Sequence, residues 1–186
     1  EDFIIPGLTI NGVGEISFPL NEQQAKEIIQ VANKAPFGLG SSTLIDEGVR
    51  KTWEINPDTF NLSNPKWKKL LDKITIKVKK DLGLETSQIE ASIYKLLLYE
   101  TGGFFLPHKD SEKEKGMFGS LIIGLPSKHI GGELIIEFGN ETETVSFEND
   151  YSINYAAFYA DCDHEIKPLI SGYRICLVYN LIQLNN

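Results

Sequence analysis

Residues 89–110 read IEASIYKLLLYETGGFFLPHKD, and at Ile89 the period of the chain changes to that of strands. Residues 91–99 form one candidate strand, Gly102-Gly103 a turn, and 104–107 the next strand. The same punctuation continues downstream. Further strands are expected at 118–125, 133–138, 143–147, 153–159, 164–169 and 173–181, separated by Gly, Pro and charged turns. Upstream, helical patterns dominate. Asn21 to Ala35 has a capping Asn21, Gln24 three residues later, an apolar face of Ala25, Ile28, Ile29 and Ala32, and a stop at Pro36. Pro65 to Leu82 has Asn64 as cap, Pro65 at the first helical position and Gly83 as stop. Trp67, Leu70, Leu71, Ile74 and Val78 make its apolar stripe.

Eight short strands after two helices predict a mainly β chain with flanking helices, of α+β type. The natural architecture is a double-stranded β-helix, a jelly-roll of the cupin-like kind, with the N-terminal helices packed on one sheet. The 186 residues are expected to form a single domain. Residues 1–90 supply helical and strand support, and 91–182 the core.

Composition narrows the function. With 41% hydrophobic and 24% charged residues, the chain is neither disordered, nor collagen-like, nor a disulfide scaffold. No run of apolar residues is long enough to span a membrane, and Glu1-Asp2-Phe3 does not open a signal peptide. The two cysteines, Cys162 and Cys176, read as reduced thiols of a cytosol-like compartment, so a cytoplasmic or otherwise intracellular location is expected. A net charge of -8 disfavours nucleic acid as a partner. Seven lysines crowd the second helix, at 66, 68, 69, 73, 77, 79 and 80, and read as a solvated face.

Histidine and arginine are scarce, so their positions are informative. The three histidines are His108, His129 and His164, and the two arginines are Arg50 and Arg174. His108 and Asp110 are two apart at a strand end, so both can reach one cation. His164, after the strand 153–159, adds a second imidazole. Two imidazoles and a carboxylate suit the facial triad of a non-haem Fe(II) site, and the spacing alone equally suits a catalytic zinc. Asp161, Asp163 or Glu165 could orient His164. His129 reads as a surface turn residue. Arg174 opens the last strand, where alternation puts it on one face with Cys176, Val178 and Asn180. A guanidinium inside an apolar strand needs a partner, and a carboxylate ligand fits its fork bidentately.

His108-X-Asp110, His164 and Arg174 together resemble the signature of the Fe(II)- and 2-oxoglutarate-dependent dioxygenases. Within that superfamily the chain is similar to the prolyl-hydroxylase-like branch, through Gly131-Gly132-Glu133-Leu134, His164-Glu165-Ile166-Lys167-Pro168 and Gly172-Tyr173-Arg174. The resemblance implies that His108, Asp110 and His164 hold Fe(II), and that Arg174 pairs with the far carboxylate of 2-oxoglutarate. It implies consumption of O2, release of succinate and CO2, hydroxylation of a carbon centre, and ascorbate as a reductant. A protein or peptide, prolyl residues among them, is the implied substrate class. Relatives often place Ser or Thr two residues after the arginine, where this chain has Cys176, a weak donor. The prolyl-hydroxylase-like members use a tyrosine of the first barrel strand instead, matched here by Tyr99. Lys95, on the same face, and Ser120 are further co-substrate candidates. Trp53 and Tyr159 are candidates for the substrate entry, the loops 38–63 and 111–117 for substrate choice, and the charged stretch 109–116 for a lid. Two other readings remain open at this point: a cupin-like metal-binding sensor or interaction module without turnover, and a zinc hydrolase.

Overall fold

The computed structural model describes residues 4–39, 42–148 and 151–184. Eight strands build two facing sheets. They are β1 (Ile89–Tyr99), β2 (Phe104–His108), β3 (Met117–Gly124), β4 (Leu134–Phe138), β5 (Glu141–Val145), β6 (Asn154–Tyr159), β7 (Asp163–Ile166) and β8 (Arg174–Gln183). One sheet has the order β6-β3-β8-β1, the other β5-β4-β7-β2, all antiparallel. This alternation of strands between sheets is the double-stranded β-helix.

The chain stitches the two sheets together along one side. Arg50–Lys51 pairs with β2, and Trp53–Ile55 pairs with β1. Asn33–Lys34 then pairs with Trp53–Ile55 and extends the β1 side further. Short strands of two or three residues, such as Leu8–Ile10 and Phe60–Leu62, escape a reading by alternation because they are too short to show a period.

Alternation assigns each face of the central sheet to a different core. Leu96 and Leu98 of β1, Leu121 and Ile123 of β3, and Ile175, Leu177 and Tyr179 of β8 face the helices. Leu97 and Tyr99, Ile122, Ala156, Phe158 and Cys176 face the other sheet, against Phe105, Leu134 and Ile166. Helices α1 (Glu22–Val31) and α2 (Pro65–Asp81) both bury their stripes in the first core, through Ala25 and Ile28, and through Trp67, Ile74 and Val78.

The helix ends follow their capping chemistry. The Asn21 side chain accepts from the Gln24 N–H, and the Asn64 side chain from the Lys66 N–H. Gln24 does not return the bond to Asn21. Its carboxamide accepts from the Ser17 N–H and donates to the Glu15 carbonyl. At the end of α2, Gly83 takes φ +71°, and the Gly83 and Leu84 N–H groups close on the Lys80 and Lys79 carbonyls. α1 ends at Val31, earlier than Pro36 suggests, because residues 33–34 are drawn into the sheet. The stretch 164–169 is not one strand. Pro168 has no N–H for the ladder, so β7 stops at Ile166 and Leu169–Gly172 pairs instead with His129–Gly131. His129 is therefore a buried strand residue, 6% exposed, and not a surface turn residue.

α2 is pinned to β8 by one buried polar bond, Trp67 Nε1 donating to the Tyr179 hydroxyl at 3.0 Å. Burial pushes the Tyr179 phenol up to about 12, so it stays neutral. Tyr179→Phe strands the indole N–H in the core. The expected loss is about 1–3 kcal/mol in urea unfolding.

Candidate metal centre

β2 and β7 pair so that His108 lies opposite His164. Between Phe105 and His108 the register slips, three steps on β2 matching two on β7. In a regular strand, residues three apart face opposite ways. The bulge reverses that, and Phe105 and His108 stack on one face with ring centroids 3.5 Å apart. Asp110 lies just beyond β2, where its N–H donates to the Ala160 carbonyl at 3.1 Å.

One ligand atom from each of His108, Asp110 and His164 falls within 4.8 Å of the others. His164 Nε2 is 3.7 Å from Asp110 Oδ2, and the two imidazole rings are 4.1 Å apart. The Nδ1 of His108 faces the Leu106 carbonyl at 2.8 Å, and that of His164 the Cys162 carbonyl at 3.1 Å. A carbonyl only accepts, so this pairing assigns the proton to Nδ1 and leaves the Nε2 lone pairs for a metal. Asp110 Oδ2 accepts from Ser120 Oγ at 2.6 Å. Two neutral imidazoles and one carboxylate on a single face fit a divalent cation with positions left open. Burial, reinforced by the neighbouring His164, lowers the pKa of His108 to about 4.

Deeper in the barrel, Arg174 is 1% exposed. Among the described residues, its Nε and Nη2 have no hydrogen-bond partner, and Nη1 has only Cys176 Sγ at 3.8 Å. The guanidinium lies against two rings, its Cζ 5.1 Å from the Tyr99 centroid and 4.7 Å from that of Phe147. Tyr99 is its cross-strand partner on β1 and is itself buried. Gly132 makes room for it. A Cβ there would come within 3.3 Å of Arg174 Cδ and 2.8 Å of Leu169, at a backbone φ of +72° that favours glycine.

The other sequence candidates fall elsewhere. Ser120 touches Asp110 of the candidate metal centre, at the opposite end of the barrel from Arg174. Lys95 is on the interior face, but its Nζ is taken by Glu54 Oε1 at 3.1 Å and by Asn56 Oδ1. Trp53 does not line the entry. It faces the helices opposite Leu98, with Lys34 over its ring. Tyr159 donates its hydroxyl to the Leu82 carbonyl, at the seam with the segment after α2. Asp163 pairs with Lys109 and Glu165 with Lys167, and neither bonds His164 Nδ1, which the Cys162 carbonyl holds.

Sequence reasoning passed over Tyr94. The register between β8 and β1 slips at Val178/Tyr179, and the extra residue is Tyr94. Its ring sits 5.4 Å from Lys95 Nζ. Burial first, then the Glu54 carboxylate, raises its pKa. A bulge leaves no trace in a single sequence, because only the partner strand reveals the extra residue.

No protein-family model and no curated protein matches the chain. Solved structures do. A prolyl-4-hydroxylase of Pseudomonas putida aligns with TM-score 0.57 and 17% identity, over 88% of this chain and 83% of that one. A prolyl hydroxylase of Trichoplax adhaerens, solved with a peptide fragment of the hypoxia inducible factor oxygen degradation domain, gives 0.54 and 16%, over 94% and 84%. A 2OG-Fe(II) oxygenase family protein of Burkholderia pseudomallei gives 0.51 and 15%, over 88% and 79%. The fold is that of the 2OG-Fe(II) oxygenases, with prolyl hydroxylases among its neighbours. Among the described residues, no helix is long and apolar enough to cross a membrane.

Two outcomes are expected. Ser120→Ala removes the hydroxyl that holds Asp110 and should weaken divalent-metal affinity about tenfold in a calorimetric titration. In metal-free protein, His108 resists protonation when folded but takes up a proton near pH 6.5 when unfolded. Its contribution to stability is complete above that pH and is lost as pH falls toward about 4. Urea midpoints measured from pH 7 to 4 should therefore fall less steeply in His108→Gln.

Proposed function

We propose that the chain is an Fe(II)- and 2-oxoglutarate-dependent oxygenase that hydroxylates a carbon of a protein or peptide side chain, prolyl residues included. The observation that carries this reading is Arg174, a fully buried guanidinium with two nitrogens that no described residue partners, lining the same interior as the His-Asp-His group. An unpaired buried charge is costly, and a carboxylate at that place would remove the cost. A zinc hydrolase gives Arg174 no task.

In this reading His108, Asp110 and His164 hold the iron through Nε2, a carboxylate oxygen and Nε2. Arg174 grips the far carboxylate of 2-oxoglutarate, and Tyr99 flanks it as a second donor. When bound, iron and co-substrate supply oxygen activation coupled to the decarboxylation of 2-oxoglutarate to succinate and CO2. Ser120 keeps Asp110 oriented toward the metal. The apolar interior made by Leu97, Ile122, Leu134 and Phe158 keeps water from the co-substrate. The whole chain works as one catalytic unit, with residues 1–90 bracing the sheet that carries Arg174. The peptide bound by the Trichoplax neighbour supports a protein or peptide substrate.

The test is an anaerobic titration with Fe(II) and 2-oxoglutarate, watching for the visible charge-transfer band of the chelate, followed by oxygen and a succinate assay. The band should need both components and vanish in His108→Ala. Absence of the band, with zinc retained tightly, would favour a hydrolase or a metal-binding module. Arg174→Met should weaken 2-oxoglutarate about 100-fold with little effect on metal. The same variant should unfold no more easily than the parent, because it removes an uncompensated charge.

A further inference from the structure

Toward the end of β8, next to the candidate metal centre, the interior carries an amide that the metal site does not use. Asn180 is 3% exposed and faces the interior of β8. It lies cross-strand from Ser120, the residue that holds Asp110. Its Nδ2 donates at 2.8 Å to Glu114 Oε1, which reaches in from the segment between Asp110 and β3. Its Oδ1 is buried and has no partner among the described residues. That segment is firmly shaped. The Gly116 N–H donates to Glu112 Oε1, the Met117 N–H to the Glu114 carbonyl, and the Gln183 N–H to the Gly116 carbonyl. Among the described residues, Glu114 has no ion-pair partner.

An amide oxygen without a donor and a carboxylate without a cation therefore stand together, one strand spacing from the serine that orients a metal ligand. Both are acceptors and one is charged, so the ligand they suit is a cationic donor. A lysyl ammonium offers three N–H groups at the end of a slender chain. We propose that Asn180 and Glu114 form a recognition site for a basic side chain of the substrate, which sets which segment is presented to the metal. This rests on the oxygenase reading for its role, although the binding itself does not.

The probe is N-acetyl-lysine methylamide, with N-acetyl-norleucine methylamide as the uncharged control of similar length. Binding is read from the side-chain amide resonances of Asn180 in ¹⁵N-labelled protein, both metal-free and loaded with Zn(II) and 2-oxoglutarate. The lysine probe should shift these resonances saturably, and the norleucine probe should not. Glu114→Gln, which preserves size and hydrogen bonding, should weaken the lysine probe at least about tenfold. Equal shifts with both probes, no shift with either, or unchanged affinity in Glu114→Gln would overturn the assignment. The two readings fail separately. An iron and 2-oxoglutarate chelate without lysine binding removes the recognition site alone. Lysine binding without the chelate removes the oxygenase and keeps the cation site.

Discussion

A guanidinium sealed inside a β-sandwich is the constraint on which the rest of the interior depends. Among the described residues, Arg174 is the largest fully buried side chain, and two of its nitrogens have no partner. Such a residue survives only where the surroundings cannot collapse onto it or admit water. β8 meets that demand because it lies between β3 and β1 and is paired on both edges. The rings of Tyr99 and Phe147 cover the guanidinium faces, which softens desolvation without satisfying the N–H groups. Gly132 leaves room for the arginine stem on the remaining side.

The two sheets divide the chemistry. The β5-β4-β7-β2 sheet supplies the imidazoles, through facing ends of β2 and β7. The opposite sheet supplies the interior-facing residues of β8, spaced by its period of two: Arg174, Cys176, Val178 and Asn180. From Arg174 to Asn180 the strand rises about 20 Å, which separates the arginine from the end of β8 that lies beside Ser120. The Ser120 hydroxyl joins the two halves, since it leaves the central sheet to hold the carboxylate that follows β2. A shift of either sheet therefore moves the His-Asp-His group and Arg174 relative to each other.

The segment 50–55 shows how a short stretch can decide the shape of an entrance. It pairs first with one sheet and then with the other. Crossing between them turns Trp53 toward the helices and leaves Glu54 on the interior side, opposite Leu97. Glu54 then claims Lys95, so a lysine on the pocket-lining face is neutralised before it can meet a ligand. The pair is largely buried, which makes the loss of either partner more damaging than the loss of both.

The sequence by itself determined the elements and the chemical cast. Alternation and turn residues located all eight core strands, because a strand half-buried between two layers must alternate and its turns need Gly, Pro or charge. Caps located both helices, because the first backbone N–H groups need acceptors wherever the helix packs. Scarcity made His108, His164 and Arg174 stand out, spacing from His108 added Asp110, and the neighbours at 131–134 and 164–174 carried the resemblance to a family. Tertiary structure alone decided what no local pattern encodes. Alternation puts Lys95 on the interior face, but its partners Glu54 and Asn56, like the face that Trp53 takes, depend on which strand lies alongside. The bulges at Phe105–His108 and at Tyr94 exist only as a mismatch between two strands, and they turn those rings inward. Burial of His129 and the meeting of Asn180 with Glu114 come from segments far apart in the chain, brought together by antiparallel pairing.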